Sequence, residues 1–162
     1  MKRVTAPLIL VLALFTLLVG GCQISPASSA LTPEQRQARN ETGIRLAASL
    51  ATKGALIAVN DKDAAETAKV ISQVAGDIVK ATADDKLDLT TLRQLAVQRI
   101  AAMNTSTKQR LIATQLVDTI GLLVQAQVDQ AAIDSGDKQI QTIRLIRAAA
   151  QGANDATTIF VQ

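Results

Sequence analysis

Apolar residues in this chain return every three or four positions, in five stretches separated by polar breaks. Nowhere do they alternate with polar residues over a useful length. That period places them along one stripe of an α-helix, whereas one face of a strand would need every second residue. The residue supply agrees: Ala, Leu, Ile, Val and Gln are abundant after residue 22, a helix-forming mixture of modest side-chain volume. The expected fold is all-α, a bundle of about five helices.

The first helix is expected over about Pro33 to Val59. Thr32-Pro33-Glu34-Gln35 opens it, because Thr32 can cap, Pro33 needs no N–H at the first helical position, and Gln35 completes a capping box. A second helix is expected over about Ala64 to Thr82, with Asn60 ending the first and Asp63 with Glu66 capping the second. Gly43, Ala47, Leu50, Gly54 and Ile57 share one stripe of the first helix, and Ala64, Ala68, Ile71, Ala75 and Ile78 repeat that pattern on the second. Small residues on a seam let two backbones approach closely, so these ten positions are the expected helix-contact seam of a tight antiparallel pair. If left uncovered, the seam offers a groove to another helix. The heptad phase also runs unbroken through residues 55–75, which allows one long helix; Asp61 would then occupy a seam position, which favours the hairpin.

Asp84-Asp85-Lys86-Leu87-Asp88 forms a polar break, and Asp88 or a neighbour caps a third helix from about Leu89 to Met103 on Leu89, Leu92, Ala96, Ile100 and Met103. Asn104-Thr105-Ser106-Thr107 is the clearest turn, and Ser106 with Gln109 makes a second capping box. The fourth helix, about Thr107 to Ala132, carries the broadest apolar stripe (Leu116, Val117, Ile120, Leu123, Val124, Val128) and is expected at the centre. Asp134-Ser135-Gly136-Asp137 ends it. A fifth runs from about Lys138 to Ala153 on Ile140, Ile143, Ile146 and Ala150, and the tail from Asn154 ends in Ile159-Phe160-Val161, which either folds back on the bundle or pairs elsewhere.

Ahead of the bundle stands a different kind of segment. Lys2 and Arg3 precede the apolar run Ala6 to Val19, which falls short of the roughly 20 residues a membrane span requires. The order of positive end, short apolar core and small residues is that of a secretory signal. Val19-Gly20-Gly21-Cys22 resembles the lipobox of bacterial lipoprotein precursors, which reads aliphatic, small, small, Cys. The resemblance covers residues 1–22. It implies cleavage between Gly21 and Cys22, a diacylglyceryl group on the Cys22 thiol and acylation of its freed amine. Two or more chains, at about 0.8 kcal/mol per buried CH₂, hold a protein stably on a membrane. Gln23, where Asp would favour inner-membrane retention, implies the outer membrane, facing the periplasm; in a host with one membrane the same signal implies its outer face. The expected organisation is a signal peptide over 1–21, a lipidated Cys with a Ser/Ala/Pro-rich tether over 22–31, and a bundle domain over 32–162.

The composition of the mature part narrows the function classes. Losing Lys2 and Arg3 leaves a near balance of basic and acidic residues, which gives no electrostatic case for nucleic acid. No second Cys is present to form an intrachain disulfide. His, Trp and Tyr are absent and Phe160 is the one aromatic after the signal, so the neutral-pH proton shuttle, the commonest metal ligand and aromatic stacking platforms are missing. The carboxylates Asp61, Asp63 and Glu66, and Asp84, Asp85 and Asp88, lack the alternation and central Gly of an EF-hand and read as caps and solvated faces; no metal site is expected. Arg36, Arg39 and Arg45 read as a solvated face near the tether, and the stems of Arg144 and Arg147 as cover for the bundle edge.

Together these features point to a non-enzymatic lipoprotein with no cofactor beyond the lipid on Cys22. The expected role is an adaptor or structural protein of the cell envelope that binds another envelope protein or itself. A small accessory subunit fits this class, as does an exclusion lipoprotein carried by a phage or plasmid. The alternative is a carrier that holds a small ligand or lipid in a cavity between Ala- and Gly-rich helices.

Overall fold

A computed structural model describes residues 31–59, 61–83, 89–130 and 138–161. Five helices make up the fold: α1 Pro33–Ile57, α2 Asp61–Ala81, α3 Leu89–Ala102, α4 Thr107–Gln130 and α5 Lys138–Thr157. Among the described residues there is no strand, and the architecture is an all-α bundle. The chain divides into two compact units, Met1–Ala38 and Arg39–Gln162. In the first, the described residues hold the opening turn of α1. There the Thr32 N–H donates to Gln35 Oε1 (2.9 Å) and the Gln35 N–H donates to Thr32 Oγ1 (3.2 Å), the reciprocal capping box.

The second unit holds the bundle. The helix α1 stops at Ile57 and α2 begins at Asp61, so the two are separate helices rather than one. A tightened last turn, in which the Val59 N–H reaches the Leu56 carbonyl (3.3 Å), ends α1. Because α2 starts earlier than expected, Asp63 and Glu66 lie within its first two turns and serve other partners. Lys108 Nζ pairs with Asp63 (3.0 Å), and Gln109 Nε2 donates to Glu66 Oε2 (2.7 Å). The second capping box forms at α4, with the Gln109 N–H on Ser106 Oγ (3.3 Å) and the Ser106 N–H on Gln109 Oε1 (2.8 Å). Gln109 is buried, so one side chain both caps α4 and ties it to α2.

The central helix is α5, not α4. Ten of its residues are buried, among them Ile143, Ile146, Ala149, Gly152, Ala153 and Ala156. It packs against α2, α3 and α4, and its Gly152 lies against the backbone of α1. The fourth helix carries more apolar residues but leaves Leu111 and Leu122 exposed and Val117, Ile120 and Leu123 half-buried. Total apolarity therefore does not decide which helix is surrounded. Small side chains do, because they let neighbours approach on several sides and exclude water between backbones.

On α1 the buried stripe is Ile44, Ala48, Ala51, Thr52 and Leu56, one residue along from the expected stripe. Burying Ile44 and Leu56 removes more apolar surface from water than burying Gly43 and Gly54 would. The close approach of Gly152 to Arg45 holds α1 in that rotation. A Cβ on Gly152 would lie 2.8 Å from the Arg45 carbonyl carbon and 3.0 Å from its Cα, nearer than real side chains stand. Beside it, Arg45 Nη2 and Asp155 Oδ2 form an ion pair at 2.7 Å, both half-exposed. That pairing gives Arg45 an intramolecular role, whereas Arg36 and Arg39 remain on the exposed face.

The far end of α2 is capped from α5. Thr82 Oγ1 turns back onto the Ile78 and Val79 carbonyls (2.8 and 3.0 Å), and Arg147 Nη2 donates to the Thr82 carbonyl while its Nε reaches Thr82 Oγ1 (3.4 Å). A cation at a helix C-terminus complements the carbonyls left without intrahelical partners. Arg147 thus does more than cover an edge, while Arg144 is exposed. The helix α5 continues past its expected end to Thr157, and Phe160 turns back to line a recess with Leu56, Val59 and Ala64 at the α1–α2 corner.

Candidate functional site

The ten expected seam residues do not form one surface. On α1, Gly43, Leu50 and Ile57 are exposed, and Ala47 and Gly54 are half-buried. On α2, Ala64, Ala68, Ile71 and Ala75 are buried and Ile78 is half-buried. The three last-named α2 positions face a feature that the sequence pattern does not display: Ile71, Ala75 and Ile78 line a cavity of about 420 Å³. Gly21 and Cys22, the expected cleavage and lipidation residues, lie outside the described residues, as do Asp84, Asp85 and Asp88.

Four helices build the cavity. Its deep walls come from Leu92, Ala96 and Ile100 of α3 and from Ile146, Ala150 and Ala153 of α5, all buried. On α4, Leu116 and Val124 close the interior, and Val117, Ile120 and Gly121 form the side nearer solvent. The cavity exists because Ala occupies positions where neighbouring turns carry Leu or Ile. Ala75, Ala96, Ala113, Ala150 and Ala153 line it beside Leu and Ile, and their short side chains occupy less of the space between the helices. At about 420 Å³ the space is within the range of small-molecule sites and far above a packing defect.

Polar groups meet the cavity on one side. Arg93 of α3 and Asp118 of α4 are among its lining residues and pair there, with Nε and Nη2 of Arg93 at 2.9 and 2.8 Å from the same oxygen, Asp118 Oδ1. Their side chains are 62% and 41% exposed, so the pair sits at the solvent edge of the lining. Leu122, 73% exposed, and Gln125 complete that rim. The site therefore runs from a charged, solvated edge to an aliphatic interior. Such an arrangement can bind and orient an apolar molecule.

Among the described residues no group of three His, Cys, Asp or Glu side chains could hold a metal ion. One helix there, over Thr107–Val128, is long and apolar enough by length and composition to cross a membrane. In the bundle Leu116, Val117, Ile120 and Val124 of that helix line the cavity, while Leu111 is exposed. The breadth of the α4 stripe had pointed to a central helix, not to a cavity. The Arg93–Asp118 pair had no signal in the sequence, since its members stand on different helices. Comparison with known proteins yields no matching family model, no matching curated protein and no matching solved structure.

Proposed function

We propose that this protein is a lipid-anchored carrier of the cell envelope, non-enzymatic, that holds an apolar small molecule between the helices of its bundle. The observation that carries the reading is the cavity of about 420 Å³ with its aliphatic walls and its single charged rim. A solvent-accessible apolar space of this size in a short chain costs packing energy that a filled core would have retained. A ligand that occupies it restores those contacts. The lipobox-like Cys22 supplies the membrane attachment and, with Gln23, the outer-membrane address in a Gram-negative host; Gly21 and Cys22 flank the cleavage. Tethering keeps the bundle close to the apolar molecules of the membrane.

The test is extraction of the protein from membranes under gentle conditions, followed by mass spectrometry of what it carries. A bound apolar molecule near one per chain is expected, and its loss in Gly121→Phe, where an added Cβ meets nothing within 4 Å, would tie it to the cavity. Recovery of the wild type with no such molecule, and no binding of added apolar probes, would refute the reading. The anchor is checked separately: the N-terminal peptide is expected to begin at a lipid-modified Cys22, and Cys22→Ala is expected to release the protein from the membrane.

A second reading, an adaptor that binds another envelope protein or itself, is favoured by the exposed apolar residues of α1, Leu46 (61%), Leu50 (45%) and Ile57 (74%). Crosslinking in intact cells, with Leu50→Ser and Ile57→Ser as the perturbation, separates it from the carrier. Loss of a crosslinked product in those variants supports the adaptor, and an unchanged pattern opposes it.

A further inference from the structure

We infer that the cavity takes the hydrocarbon chain of a single long-chain fatty carboxylate, whose head group is received by Arg93 at the rim. The inference rests on the carrier reading and specifies its ligand. Size sets the first limit. A dry cavity of roughly 150 Å³ is enough for a benzene molecule. The present space of about 420 Å³ is nearly three times as large. It therefore has room for on the order of 12 to 16 carbon atoms, one acyl chain and not two.

The distribution of polarity sets the second limit. Ala96, Leu92 and Ala150 at the interior are at most 4% exposed and offer no hydrogen-bonding side chain, so the buried part of the ligand must be hydrocarbon. At the solvent edge stands a guanidinium. Both of its contacts with Asp118 go to one carboxylate oxygen, Oδ1, through Nε and Nη2. Arginine has five N–H donors in a planar fork that matches a carboxylate, so this pairing engages fewer than half of them. A ligand carboxylate arriving at the rim can accept from the rest. Asp118 offsets the charge of the guanidinium and competes with the ligand for its donors, so its effect is opposite in sign to that of Arg93. Phosphodiester head groups with a second acyl chain exceed the space, and an uncharged amphiphile would gain no ion pair with the guanidinium.

The experiment uses the full-length lipid-anchored protein in phosphatidylcholine vesicles and a palmitate that carries a photoactivatable group on its chain. Crosslinks are expected on α3 and α5 around Ala96 and Ala150. They should be competed by palmitate and not by hexanoate. Arg93→Gln is expected to lower labelling by about tenfold, the loss of a charge-assisted contact. Asp118→Asn is expected to raise it severalfold, because the guanidinium then faces the ligand alone. Arg93 is exposed and Asp118 half-exposed, and helix content by circular dichroism confirms that each variant is folded. The matching photoactivatable alcohol should label less and respond to neither substitution. If alcohol and carboxylate label the cavity equally and the two variants change neither, the carboxylate assignment is overturned while the carrier reading stands. A monoacyl phospholipid that competes at lower concentration than palmitate also overturns it. If no probe labels the cavity and Gly121→Phe makes no difference, the carrier reading falls as well.

Discussion

Gly152→Ala separates the packing argument from simple helix propensity. In an exposed helix the change would stabilise by up to about 1 kcal/mol, because Ala is the better helix former. At Gly152 the new methyl would stand 2.8 Å from the Arg45 carbonyl carbon and 3.0 Å from Arg45 Cα. Ordinary carbon contacts lie near 3.5–4.0 Å, so α1 and α5 must part by on the order of 1 Å. The obstacle is backbone and cannot turn aside. Overpacking of this kind costs about 1–3 kcal/mol. Ile44 and Ala48 also lose part of their contact with Leu145 and Ala149 in the shared core, and a gap of about 1 Å forfeits up to half of each contact. Set against the propensity gain, the net expectation is a loss of about 1–2 kcal/mol, or a fall in Tm of roughly 4–8 °C for a domain of this size. Urea and thermal unfolding followed by circular dichroism measure it. Gly43→Ala and Gly76→Ala are the internal controls, since a Cβ at either meets nothing within 4 Å; each should stabilise by about 0.5–1 kcal/mol. If Gly152→Ala stabilises as the controls do, the close approach of α1 and α5 is refuted.

Three further outcomes are expected. Arg147→Ala should destabilise by about 1.5–3 kcal/mol in urea unfolding, because it removes a charged donor from the Thr82 carbonyl at the end of α2, and Arg147→Lys should recover less than half, lacking the planar fork. Thr67→Val should stabilise by about 1 kcal/mol in the same assay, as should Thr52→Val, since both hydroxyls are buried without a hydrogen-bond partner among the described residues. Gln109→Ala should cost about 1–2 kcal/mol, because it removes the α4 capping box and the Glu66 contact together; Gln109→Glu should not restore stability, since it places one carboxylate against another.

Secondary structure was largely legible in the residues, and the reason is range. The capping boxes Thr32/Gln35 and Ser106/Gln109 act over three positions, and both form as their spacing implies. The separation of α1 from α2 was legible in the same way, through Asp61 interrupting an otherwise apolar phase. Rotation about the helix axis was legible on α3 and α5, where Leu92, Ala96, Ile100, Ile143, Ile146 and Ala150 are buried as their spacing implies, and not on α1. On α1 the stripe through Gly43 and Ala47 and the stripe through Ile44 and Ala48 differ little in pattern, and a one-residue shift turns a helix by about 100°.

What the sequence determined by itself is a chain of helices, because periodicity and the two capping boxes are local and need no partner; the start of α2 and the end of α5 fall outside the bounds that local signals gave. Tertiary structure decided which face α1 buries, that α5 rather than α4 is central, and that a cavity opens between α2, α3, α4 and α5. It also decided that Arg93 meets Asp118 across helices and that Arg147 caps Thr82 from 65 residues away. These outcomes depend on how closely backbones approach when Ala and Gly meet Ile and Leu. That property belongs to pairs of surfaces brought together by the fold, and no single stretch of sequence contains both members of the pair.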